Sequence, residues 1–226
     1  MLAEFDFCPG NPVRLTHFGF SDGRWTLAYC LQYCNKMTNI SSELFEKTVK
    51  SQPFSIKTID ENGECLLYSS CLFQKLNISI SANDLARVSI VFSSDQPEKV
   101  ATPDLGLSPS RLFTGSDVFV RVLNDEGVES DGARMASLSL VVNANSKTIS
   151  GKIKGIDWSK DFDKDRSFST MIYGCQGKSR MTVGYKVNDT EHPLFDINGV
   201  FMSIDEVAIS PDCVRTDASF ATLKGF

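Results

Sequence analysis

The sequence predicts a mainly β protein, an antiparallel arrangement of sandwich-like or barrel-like units with one short helix. Three observations carry this expectation. Apolar residues recur at every second position in several runs, the period of a half-buried strand. Asn, Asp and Gly cluster between those runs, where hairpins need tight turns. One segment alone carries helical capping and charge signals.

In chain order, Val13–Phe20 is the first β-rich run, and Trp25, Leu27, Tyr29, Leu31 and Tyr33 then hold one parity through a second. The helix is expected near 41–50. Ser41 or Ser42 can cap it, Glu43 lies in its first turn, and Lys47 and Lys50 lie near its end. Its apolar positions, Leu44, Phe45 and Val49, suit a small covering element. Strands follow at Phe54–Ile59, Cys65–Phe73, Leu76–Ile80 and Val88–Phe92, with Asn62-Gly63 read as a type I′ hairpin turn. Further strands are expected at Val118–Leu123, Ala136–Val142, Lys147–Ile156, Phe168–Tyr173, Met181–Val187 and Val200–Ile209.

Segment 93–110 breaks this rhythm with Pro97, Pro103 and Pro109. Proline removes a ladder donor and fixes φ, so this stretch reads as a poor strand and a poor helix. The expected organisation is an N-terminal β unit at 1–93, a proline-rich linker or crossover at 94–110, and a C-terminal β unit at 111–226. No internal repeat is legible between the halves.

Composition narrows the function classes. With 226 residues, 42% hydrophobic and 23% charged, the chain is ordinary globular material able to bury a large core. The balance of 23 basic against 28 acidic residues, net -5, disfavours nucleic acid held by bulk charge. No run approaches the length of an apolar membrane span, and the first residues lack the basic and apolar regions of a secretory signal. Seven cysteines, an odd and sparse set, point to a reducing intracellular compartment during synthesis, with a virion as the other location considered. The reading favoured for them is buried free thiols. Zinc would need Cys30 and Cys34 to join Cys65 and Cys71, whose gaps of three and five residues suit a knuckle poorly. Three Asn-x-Ser/Thr sequons, at Asn39, Asn77 and Asn188, matter only in an exported chain.

Candidate chemistry is sparse because His17 and His192 are the only histidines. Gly19-Phe20-Ser21-Asp22-Gly23 has the spacing of a nucleophile elbow, without the following helix such an elbow needs. Phe18-Gly19-Phe20-Ser21 with Asp189-Thr190-Glu191-His192-Pro193 resembles the first and last blocks of the GDSL/SGNH hydrolases. That resemblance implies a serine esterase with Ser21 as nucleophile, His192 as base and Asp189 orienting it. Phe20 stands where the family has an acidic residue, and no alternating strand–helix rhythm accompanies the match. Asp161, Asp163 and Asp165 open like a calcium loop, but Arg166 and Ile172 occupy the places of its glycine and bidentate glutamate. Trp25, Tyr29, Tyr33 and Trp158 are the aromatics available to a carbohydrate-binding β-sandwich.

Two further patterns suggest association. Residues 147–186 hold nine Lys/Arg and four Asp, a balance of +5, while 187–217 hold seven acids and one Arg, a balance of -6. Neighbouring strands could neutralise each other, or opposite faces could dock copies of the chain. Leu2, Phe5 and Phe7 open the chain, and Phe220, Leu223 and Phe226 close it. Such apolar ends should dock, either in their own sheets or against a neighbour, which makes them the candidate interface. The leading expectation is a non-enzymatic structural or adaptor subunit without cofactor, its partners copies of itself or other assembly proteins. A virion or phage head/tail component is the concrete form of that expectation. The esterase and the carbohydrate-binding module are the alternatives.

Overall fold

The computed structural model describes residues 1–33, 40–103, 111–123, 129–130, 135–158, 167–173, 179–187 and 190–223. The chain is mainly β, as its alternation predicts. The first elements are β1 (Leu2–Phe5), β2 (Val13–Ser21), β3 (Arg24–Cys30), β4 (Gln32–Tyr33) and α1 (Ile40–Val49). They are followed by β5 (Phe54–Ile59), β6 (Cys65–Ser81), β7 (Arg87–Ser93), β8 (Glu98–Val100) and β9 (Arg111–Leu112). A 3-10 turn (Gly115–Asp117) leads into β10 (Val118–Leu123), β11 (Glu129–Ser130), β12 (Met135–Asn143) and β13 (Thr148–Trp158). The last elements are α2 (Phe168–Tyr173), β14 (Ser179–Val187), β15 (Thr190–Ile209) and β16 (Cys213–Thr222). No helix among the described residues is long and apolar enough to cross a membrane.

The chain divides into two compact units. Unit 1 comprises Met1–Asn77, Ala86–Phe113 and Val142–Asn145; unit 2 comprises Ile78–Leu85, Thr114–Val141 and Ser146–Phe226. In unit 1 the strands close into an antiparallel six-stranded barrel in the order β1-β2-β3-β7-β6-β5 and back to β1. Alternation aims Phe5, Leu27, Tyr29, Phe54, Ile56, Ile90 and Phe92 inward, where each is buried. Each such side chain contributes about 1.5–3 kcal/mol relative to exposure. The β2–β3 hairpin turns at Asp22 and Gly23, with φ of 50° and 73°, the two positive angles of a type I′ turn. The expected type I′ turn at Asn62-Gly63 is instead a wider loop in which only Gly63 has positive φ. There the Asp60 carboxylate accepts the N–H groups of Asn62 (2.9 Å) and Glu64 (2.8 Å), so a side chain organises the turn. Within β6, Ser70 at φ 52° marks a bulge against β5. The strand runs unbroken through two expected ones, Cys65–Phe73 and Leu76–Ile80. Between Pro97 and Pro103, β8 pairs with Cys65–Leu67, because the prolines flank those three residues without interrupting them.

Unit 2 follows the order β12-β13-β16-β15-β14-β10-β11. One expected strand is here a helix. Ser167 Oγ accepts the Thr170 N–H (3.2 Å) and Asp157 accepts the Phe168 N–H (3.0 Å), so α2 has both a cap and an anchor. Its Phe168 lies on Gly155 of β13, where a Cβ would collide with the ring.

The two strand orders are the same. Taken in sequence, β1, β2, β3, α1, β5, β6 and β7 correspond to β10, β12, β13, α2, β14, β15 and β16. Applying that correspondence to β2-β3-β7-β6-β5-β1 yields β12-β13-β16-β15-β14-β10, the order observed. In both sets the helix joins the third strand to the fourth, and the fifth strand is the longest. The repeat absent from the sequence is therefore present in the topology. Alternation preserves which face is apolar without preserving which residue provides it.

Candidate functional site

Within unit 2 an open groove of about 350 Å³ is lined by Ala136, Lys154, Ile156, Glu206, Ala208, Arg215 and other residues. It lies on the face of β13, β16 and β15 opposite Phe168. Strand register builds it as two rows. Lys154 faces Asp217, which faces Glu206; Ile156 faces Arg215, which faces Ala208. A bulge between Ile204 and Glu206 re-aims the end of β15 and brings Glu206 into line with Asp217.

Lys154 Nζ donates to Asp217 Oδ2 at 2.5 Å. That hydrogen bond first, and then the Asp217 and Glu206 charges, raise the Lys154 pKa above its ordinary value. A lysine so held stays protonated, so it offers neither a base nor a nucleophile. Arg215 has no ion-pair partner among the described residues. The groove is thus equipped to meet charged groups of both signs.

Part of the sign change along the sequence is met inside one sheet. Arg180 bridges Asp196 with Nε to Oδ1 at 2.7 Å, Lys186 meets Glu191 at 2.9 Å, and Arg121 meets Glu191 at 2.8 Å. The Lys186 hydrogen bond, with that of Arg121, holds the Glu191 carboxyl below its usual range, and the Arg180 hydrogen bond does the same for Asp196.

The residues expected to carry chemistry are placed as follows. Ser21 ends β2 in unit 1, exposed, and its Oγ donates to Asp22 Oδ2 at 3.0 Å. His192 is in unit 2 on β15, stacked on Tyr185 with ring centres 5.0 Å apart. Asp189, Asp161, Asp163, Asp165, Cys34, Cys175 and Phe226 lie outside the described residues. Cys8, Cys65, Cys71 and Cys213 are buried free thiols and Cys30 is a half-buried one; burial pushes the Cys71 thiol up to about 12. Tyr29 is buried, Trp25 half-buried and Trp158 exposed.

Of the terminal side chains, Phe5 is fully buried and packs on Tyr29 and Phe54, with ring centres at 6.3 and 6.1 Å. Leu2 and Phe7 are half-buried, and Phe7 stacks on Phe5. Phe220 is buried over Gly151, whereas Leu223 is exposed. The strands that hold Phe5 and Phe220, β1 and β16, are interior to their sheets, with a neighbour on each side.

The sequence reading missed Lys154, Glu206, Arg215 and Asp217. Its available signal was charge at every second position, Lys152-x-Lys154 and Arg215-x-Asp217, which marks an outward strand face without showing which strands adjoin. No protein-family model and no curated protein matches the chain.

Proposed function

We propose that this chain is a non-enzymatic subunit that acts by assembling with copies of itself. The observation that carries the reading is the outer half of β15. Val207 is 40% exposed and Ile209 81% exposed on a strand whose alternation would normally bury one face. Large apolar side chains held in water on a regular strand mark a surface awaiting a protein partner. The groove on the opposite face of the same strand adds charged groups of both signs, which favours orientation of a partner over acid–base chemistry. A virion or phage head/tail component is the specific form of this proposal and rests on the sequence pattern.

Light scattering of the full chain at its highest soluble concentration tests it. A mass above that of one protomer is expected, and a monomer at every concentration overturns the reading. Hydrolysis of a p-nitrophenyl ester supplies the other arm. Turnover that vanishes in Ser21→Ala would replace the assembly role with the esterase; equal background rates in both proteins are expected.

A further inference from the structure

Strand register in unit 2 sets four side chains at the corners of one tile on the groove face of β15 and β16. Arg215 stands opposite Ala208, and Asp217 stands opposite Glu206. All four line the groove. Arg215, Glu206 and Ala208 are exposed, and Asp217 is half-buried. Neighbouring positions of one parity lie about 6.8 Å apart along a strand and about 4.8 Å apart across a sheet, so a surface laid on the tile meets all four corners at once. One diagonal joins two exposed charges of opposite sign, Arg215 and Glu206. The other joins Ala208, whose methyl lets a second surface come close, to Asp217, whose charge is met by Lys154 Nζ at 2.5 Å.

This layout is self-complementary about one direction. A two-fold axis lying in the face along the Ala208–Asp217 diagonal exchanges the ends of the other diagonal. Arg215 of each copy then meets Glu206 of the other, so a single contact makes two equivalent ion pairs. Ala208 meets its own counterpart on the axis, where a larger side chain would hold the faces apart. The two Asp217 carboxylates approach one another there, each bringing its Lys154 as counter-charge. An axis parallel to the strands would instead set Arg215 on Arg215 or Asp217 on Glu206. An axis across the strands would pair Arg215 with Asp217, which Lys154 already holds, and leave Glu206 against Ala208.

We propose that the groove face docks on the same face of a second copy about this diagonal axis, with Arg215 of each chain paired to Glu206 of the other. One patch serves both partners, so the contact is isologous and closes at two copies. The inference rests on the self-assembly reading and names a surface for it.

The test reverses the two charges in the full-length chain. Arg215→Glu and Glu206→Arg each replace both ion pairs by like charges, and either alone is expected to weaken association about tenfold or more in a light-scattering dilution series. Lys75→Glu, an exposed reversal of the same sign on β6 in unit 1, is the control and keeps the parent mass. Parent-like circular dichroism and a cooperative melt establish that each variant folds. A reversal that misfolds is replaced by Arg215→Gln or Glu206→Gln, for which a smaller loss is expected. An equimolar mixture of Arg215→Glu and Glu206→Arg should recover the parent mass as a dimer of one with the other, because each altered side chain then faces an opposite charge. Both reversals in one chain should recover it as well. Reversals that keep the parent mass overturn this face and leave the assembly reading standing. Loss in Arg215→Glu with none in Glu206→Arg overturns the diagonal axis, as does a mixture that stays dissociated. A parent with an odd number of protomers above one overturns the two-fold contact, and a monomeric parent overturns both proposals.

Discussion

In unit 1 the space enclosed by the strands is filled by rings meeting rings. Phe54 stacks on Phe73 at 4.1 Å between ring centres, meets Phe92 edge-on at 5.5 Å, and lies 6.1 Å from Phe5. In unit 2, built on the same strand order, rings meet glycines. Phe168 lies over Gly155, Phe220 over Gly151 and Phe119 over Gly184, and at each glycine a Cβ would collide with the ring. Neighbouring strands make the last two pairs, so a residue with no side chain is covered by the aromatic opposite it. One topology thus accepts two packings. Strand order constrains the pattern of faces, while interior volume can be filled by large side chains on every strand or by a few that need bare backbone beneath them.

The comparison can be broken by mutation, since Trp25 lies in unit 1 and Trp158 in unit 2 and each can report on its own surroundings. The largest effect is expected from Phe54→Ala, which removes a ring 2% exposed and in contact with four others, Phe5, Phe7, Phe73 and Phe92. It should cost about 3–5 kcal/mol in chemical denaturation followed by Trp25 emission. A loss below 1 kcal/mol would show that the ring cluster is not what supports unit 1.

Gly155→Ala comes next. The added methyl must displace Phe168, which should cost about 1–3 kcal/mol, read from Trp158 emission in a Trp25→Phe background. Unchanged stability would mean that α2 shifts freely and that glycine is no requirement of this packing.

Asp157 sharpens the same region. Replacement by Ala removes the acceptor of the Phe168 N–H and should cost about 1 kcal/mol, by analogy with a helix cap. Burial raises the Asp157 pKa, with the Phe168 hydrogen bond opposing. A carboxyl whose folded pKa exceeds its unfolded value disfavours folding when ionised, and that cost is relieved as pH falls through the folded value. Asp157→Asn keeps an acceptor without the charge, so it should match or exceed the parent at neutral pH. Its advantage should fade below the unfolded aspartate range in melts repeated across pH.

The smallest effect belongs to Lys154→Met. The Lys154–Asp217 pair is solvent-exposed, and such pairs contribute little. The melting temperature should be unchanged within error, at low salt and at high salt. A clear drop would make the groove's charges part of the scaffold of unit 2.

Much of this was legible in the residues themselves. Phe54–Ile59 and Val118–Leu123 form strands with the expected bounds, and α1 begins within a residue of its expected start, because alternation and capping are local properties. Of the apolar ends, Phe5 and Phe220 are buried in their own strands, whereas Leu223 is exposed. Phe168–Tyr173 was not legible as a helix: its apolar residues suit a strand, and only Asp157 and the bare backbone of Gly155, distant in sequence, make the helix the better partner. Asn62-Gly63 carried the stronger turn signal, yet Asp22-Gly23 takes the two positive φ angles, because the Asp60 carboxylate organises the other loop through its own hydrogen bonds.

The sequence by itself determined that the chain is β, where most strands run, and which parity of each faces inward. Those follow from the two-residue period of a strand and the chemistry of tight turns. Only the tertiary structure decided which strands are neighbours. It showed two sets of strands in one order, closed a barrel in unit 1, and aligned Lys154, Asp217 and Glu206 across three strands. The physical reason is that backbone hydrogen bonds between strands are the same for every residue that can donate and accept. The side-chain pattern says which face is buried, but the choice of neighbour depends on how all the faces and loops fit together at once.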